Sequence, residues 1–178
     1  MATAPKATPD EWASYLALYA SVNTRLRDTD WFGDGWETEF RFIDQDSPRV
    51  IFLLRKPHWC NGQIYFKTRL TNTDLSNQTT RVGLHVETSM QAHGLNRITF
   101  DKHLILWGSE LIQGWEGYIL KPTHYQKPLH IYISFTPETL VSNLYAEFTK
   151  LQTLAPIIER AMMEATLPGY SRSVPTKP

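Results

Sequence analysis

Thiol chemistry is almost missing from this 178-residue chain, in which Cys60 is the single cysteine. No internal disulfide can form, and the composition fits a reducing compartment. Nowhere do about 18 apolar residues follow one another to span a bilayer, and the opening MATAPKATPDEW holds no apolar run that could act as a signal-peptide core. A cytoplasmic location with no membrane partner is the expectation. An excess of charge is missing too: 18 lysines and arginines stand against 18 aspartates and glutamates. Neutrality argues against a dedicated duplex-DNA binder, which needs a strong basic footprint. It also removes the repulsion that keeps copies apart, so a homo-oligomer is expected. No glycine-rich turn leads from a strand into a helix, which argues against a Rossmann-like or P-loop nucleotide site. The six histidines are scattered, with no His-x-x-x-His pair and no Cys-x-x-Cys, so neither metal nor other cofactor is expected.

What is present is the patterning of one ordinary α+β domain: 42% hydrophobic and 20% charged residues. Its extent is read as residues 1–166, with LPGYSRSVPTKP (167–178) as a flexible tail. Asn61 to Glu87 is the organising stretch. Gln63–Thr71 and Thr80–Glu87 read as two strands around a polar turn, Asn72–Thr79. Strand alternation puts Ile64, Phe66, Thr68 and Leu70 on a core face with Val82, Leu84 and Val86. The other face then carries Tyr65, Lys67, Arg69, Arg81, His85 and Glu87.

Elsewhere, Thr8-Pro9-Asp10-Glu11 is a capping box with proline at the first helical position, opening a helix to about Leu26. Asp28–Glu37 is an acidic loop that holds Trp31, Phe32 and Trp36. Trp36–Asp44 alternates as a half-buried strand, Asp46-Ser47-Pro48 supplies a turn, and Val50–Lys56, apolar on both faces, predicts a central strand. Ser89–Leu95 reads as a loop and Ile98–Gln113 as a helix capped by Asp101, with a strand over Ile98–Trp107 as the alternative. Trp115–Lys121 and Pro128–Phe135 predict a hairpin. Thr136-Pro137-Glu138 opens a last helix, which Pro156 kinks or restarts. Short connections make the sheet antiparallel: a two-layer α+β domain with about six strands packed against N-terminal, middle and C-terminal helices.

Two chemistries suit these residues. His85 and Glu87, two apart on one strand, point the same way. A register with Leu84 opposite Thr68 sets Lys67 against His85 and Tyr65 against Glu87, a constellation for acid/base catalysis. Alternatively, the chain is a binding or adaptor module for a protein or small molecule, using Trp31, Phe32 and Trp36 or the polar face with Arg69 and Arg81. A solvated sheet face bearing weak ion pairs accounts for the same pattern. His85, Glu87 and either His58 or Cys60 could ligate a metal, and Cys60 beside His58 could be a nucleophile, although nothing nearby lowers the thiol pKa. Nucleic acid could lie along Arg41, Arg55, Lys67, Arg69 and Arg81 with Tyr65 stacking, but Glu37, Glu39 and Glu87 offset that field. In element order the second half resembles small α+β domains attached to restriction-type nucleases. The proline-aspartate and Glu-x-Lys or Asp-x-Lys core is not found, so a nucleic-acid-processing accessory role, not nuclease activity, is what the resemblance implies.

Overall fold

The structure, a computed structural model, describes residues 6–44, 47–121 and 126–169. Helix α1 (Pro9–Arg27) begins where the capping box predicts: Glu11 N–H donates to Thr8 Oγ1 (3.2 Å), and Thr8 N–H donates to Glu11 Oε2 (2.7 Å). Its stripe of Trp12, Tyr19, Val22 and Leu26 is buried. Six strands form one antiparallel sheet: β1 (Glu37–Ile43), β2 (Arg49–Arg55), β3 (Ile64–Thr71), β4 (Thr79–Val86), β5 (Ile119–Leu120) and β6 (Leu129–Ser134), in the order β1-β2-β3-β4-β6-β5. The remaining helices are α2 (Asn72–Asn77), α3 (Arg97–Ile112), α4 (Pro137–Leu151) and α5 (Ala155–Glu164). The sheet and its helices are a single α+β fold.

The inner face of the sheet is the core. Phe52 on β2 meets Tyr19 of α1 (ring centroids 5.8 Å apart) and Phe148 of α4 (5.1 Å), which puts both helices on that side. Ile64, Phe66, Thr68, Leu70, Val82, Leu84 and Val86 are all buried, as alternation requires. Thr68 keeps its hydroxyl satisfied against Thr80 Oγ1 (3.1 Å). The second half closes on itself where Asn96 N–H donates to the Ala165 carbonyl (2.8 Å) and Leu167 N–H to that of Gly94 (2.8 Å). Proline at its first turn makes α5 a new helix after a 3-10 turn at Gln152–Leu154.

Several expectations are corrected. The polar turn after β3 is a helix: Thr71 caps α2 through Asp74, and Gln78 leaves it with φ 50° and ψ 38°. That fixes Ile64 opposite Val86, Tyr65 opposite His85, Phe66 opposite Leu84 and Lys67 opposite Gly83. The ladder is thus two residues from the predicted register, a slip that preserves faces and changes partners. Strand β2 is an interior strand, paired with both β1 and β3 and buried on both faces as predicted, although it lies second from the sheet edge. Ile51 lies between Arg41 and Arg69 and Leu53 between Glu39 and Lys67, so long side-chain stems shield the outer apolar pair. The cap of α3 is Asn96, whose Oδ1 accepts from Thr99 N–H (3.0 Å), while Asp101 is buried against Arg97 Nε (2.8 Å). Ser89–Leu95 is largely a 3-10 helix, Thr88–His93. Gly117 (φ 77°) ends the extended run that Trp115–Lys121 suggested, leaving two strand residues. Part of the Asp46-Ser47-Pro48 turn, and the expected tail from residue 170 onward, lie outside the described residues. Among the described residues no helix is long and apolar enough to cross a membrane.

Candidate ligand-binding site

Odd-numbered residues of β3 and β4 and even-numbered residues of β6 share the outer face. Their ladder gathers Tyr65, Lys67 and Arg69, then Arg81, Gly83 and His85, then His130 and Tyr132. A cavity of about 170 Å³ opens there, lined by Lys67, Arg69, Arg81, Gly83, His85, Gln126, Lys127 and His130. Alternation along Pro128–Phe135 puts His130 and Tyr132 on one face of their strand. It did not show that β6 pairs with β4, because β5 and a long connection intervene. Lys127 and His130 therefore went unassigned, although their approach makes the cavity.

The outer face is divided electrostatically. On the β1–β2 side Glu39 takes both Arg41 Nη1 (3.4 Å) and Arg55 Nη2 (3.6 Å). On the β3–β6 side Arg69 and Arg81 are directly opposed across the ladder, and among the described residues no carboxylate forms an ion pair with either. Like charges at opposed positions destabilise a sheet. Burial, joined by Arg81, Arg69 and Lys67, holds the Lys127 ammonium below its usual pKa. Lys67 is likewise held down by burial against the opposing pull of Glu87, with Arg69, Arg49 and Arg81 adding to the depression.

Glu87 organises the other end. Its Oε1 accepts from the Tyr65 hydroxyl and lies 3.2 Å from His85 Nε2. Tyr65 and His85 stack with centroids 4.9 Å apart. Burial of the phenol, then the bond to Glu87, raises the Tyr65 pKa. Burial drives the His85 pKa down to about 4; Glu87 opposes this, and Lys67 and Lys127 reinforce it. Burial, then Arg81, lowers His130 as well. Both imidazoles are therefore neutral at pH 7, and Glu87 places the His85 proton on Nε2. Nδ1 of His85 is left as a lone-pair acceptor. Both His85 Nδ1 and His130 Nδ1 are buried without a hydrogen-bond partner, in residues 7% and 6% exposed.

The predicted residues thus fall into two groups. His85, Lys67, Arg69 and Arg81 line one cavity, with Glu87 and Tyr65 braced behind His85. Trp36 is packed in the core between Phe66 (6.0 Å) and Trp59 (5.2 Å), with Trp31 against it and Phe32 against Trp31. His58 lies 3.4 Å from Glu159 on α5, and Cys60 is buried with its thiol toward the Met90 carbonyl. No group of three His, Cys, Asp or Glu among the described residues is disposed to hold a metal ion. Comparison with protein-family models, curated proteins and solved structures finds no match.

Proposed function

We propose that this chain is a binding module whose site is the basic cavity on the outer face of β3, β4 and β6, and that its ligand carries a phosphate-like anion. One observation supports this most: Arg69 and Arg81 stand opposed without a carboxylate, beside Lys127 and Lys67. An arrangement that costs the fold stability is relieved when an anion enters, and guanidinium forks suit phosphate oxygens.

Inorganic pyrophosphate at millimolar concentration should raise the melting temperature, and calorimetry should give a saturable isotherm; an occupied site adds roughly 2.7 kcal/mol at a hundredfold excess over Kd. Arg69→Gln and Arg81→Gln should each abolish the shift while melting no lower than the parent without ligand, since removal of one like charge relieves the opposed pair. Absence of any shift in the parent would sink the proposal.

Acid/base catalysis is the second reading, and it draws on Glu87 bridging Tyr65 and His85. It requires His85 Nδ1 to take a proton from a bound substrate. Glu87→Gln would then depress turnover far more than affinity, whereas a pure binding module shows a change in affinity alone.

A further inference from the structure

The cavity is too small for a whole organic ligand. At about 170 Å³ it falls below the roughly 300 Å³ at which sites begin to engulf drug-sized molecules. It encloses one charged group, and the remainder of the ligand must run along the open face. Two features flank that group. On one side Tyr132, 57% exposed, stands directly across from Arg81, its ring set edge-on to His130 at 5.6 Å. On the other side His85 lines the cavity with its Nδ1 buried and unpartnered, a lone pair that requires an O–H or N–H donor. A phosphomonoester dianion or a sulfate has no such hydrogen. From Arg81 to His85 the strand advances four residues, about 13 Å, so the ring platform and the acceptor flank the anion and do not meet on one side of it.

A ligand with a planar ring, a phosphodiester and a hydroxyl-bearing sugar in that sequence is a short run of single-stranded RNA. We infer that the outer face of β3, β4 and β6 binds single-stranded RNA, with one phosphodiester over Arg69, Arg81 and Lys127, a base stacked on Tyr132, and the 2′-hydroxyl of the adjoining ribose donating to His85 Nδ1. This rests on the anion-binding proposal and specifies its ligand. Stacking on an exposed aromatic is indifferent to base identity, and the 2′-hydroxyl is what separates RNA from DNA at a given position. With so few phosphates held, the salt dependence is shallow. The one phosphodiester held gives a logarithmic slope of about −0.7.

The experiment is fluorescence anisotropy of the full chain with labelled oligo(U) and oligo(dT) of equal length over a range of salt. Oligo(U) should bind at least fivefold more tightly than oligo(dT), with that slope. Tyr132→Ala should weaken both by fivefold or more, consistent with the usual contribution of one stacked base. His85→Phe keeps a ring on Tyr65 and removes the acceptor, so oligo(U) affinity should fall to that of oligo(dT); His85→Leu serves if the first variant does not fold. Equal affinity for the two polymers in the parent, or a preference that survives loss of His85, overturns the inference. Saturable pyrophosphate binding with no oligonucleotide binding overturns the RNA assignment and leaves the anion site standing. Failure of both pyrophosphate and oligonucleotides to bind overturns both.

Discussion

Gly83 and Leu129 approach so closely that a Cβ added to Gly83 would stand 2.2 Å from the Leu129 carbonyl oxygen and 2.6 Å from the His130 Cα. The contact is with backbone, which cannot rotate away. This approach lets β6 lean onto the outer face beside β4 and brings His130 and Lys127 to the cavity. Gly83→Ala should therefore displace β6 and cost about 1–3 kcal/mol or more, as overpacking does. It should also lower pyrophosphate affinity, because the cavity wall moves. A variant with unaltered melting and binding would show that the close approach is not a constraint.

Gln78 is the residue that sets the ladder between β3 and β4. It adopts the left-handed conformation at the end of α2, and its N–H bonds to the Leu75 carbonyl (3.2 Å). A side chain there is strained by about 1 kcal/mol or more. Gln78→Gly should accordingly stabilise the protein by up to about 1 kcal/mol, less the entropy that glycine adds to the unfolded chain. Thr71→Ala, which removes the α2 cap, should cost about 1 kcal/mol. Chemical denaturation of both variants measures the pair, and a destabilising Gln78→Gly would mean the left-handed turn is not the source of strain.

These two positions also mark where the sequence stopped being legible. Helix starts at Thr8 and Thr136 were readable because caps are local: donor, acceptor and proline lie within four residues. Division of β3 and β4 into a buried and a polar face was readable because alternation has a period of two. The register was not, since a helical turn and a polar turn of similar length close the same two strands two residues apart. Neither was the pairing of β4 with β6, whose residues lie about fifty apart in sequence and whose contact depends on Gly83. Thus His85 and Lys67 were found as site candidates, while Lys127 and His130 emerged only from the fold.

Glu159 binds α5 to the loop after β2. Its Oε1 accepts from Trp59 Nε1 (3.3 Å) and lies 3.4 Å from both Lys56 Nζ and His58 Nε2. Lys56 is 6% exposed, with Asp34 at 3.0 Å on its other side and the Trp36 ring at 5.4 Å. Glu159→Ala leaves a buried ammonium and an indole N–H short of an acceptor, so a loss of about 1–3 kcal/mol is expected. Lys56→Met should reduce that loss in the double variant, because the charge that needed the carboxylate is gone. A double-mutant cycle in urea tests this, and strictly additive losses would show that the two residues do not interact.

His85 should make stability fall in mild acid. Its folded pKa of about 4 lies below the ordinary value of 6.5, so between those values the unfolded chain binds more protons than the folded one. The stability contribution is fully present above about pH 6.5 and is lost as pH falls toward 4. Lys67 and Lys127 disfavour the imidazolium, while Glu87 favours it and burial dominates. His85→Phe keeps the stack on Tyr65 and removes the titration, so its melting temperature should drop less than the parent's over this interval. Carboxylates elsewhere titrate alike in both proteins and cancel in the difference. Pyrophosphate bound beside His85 would offset Lys67 and Lys127 and allow the imidazolium to form, so in its presence the parent's acid loss should shrink toward that of His85→Phe. Parallel melting curves for parent and variant across the interval would show that His85 is not held neutral by its surroundings.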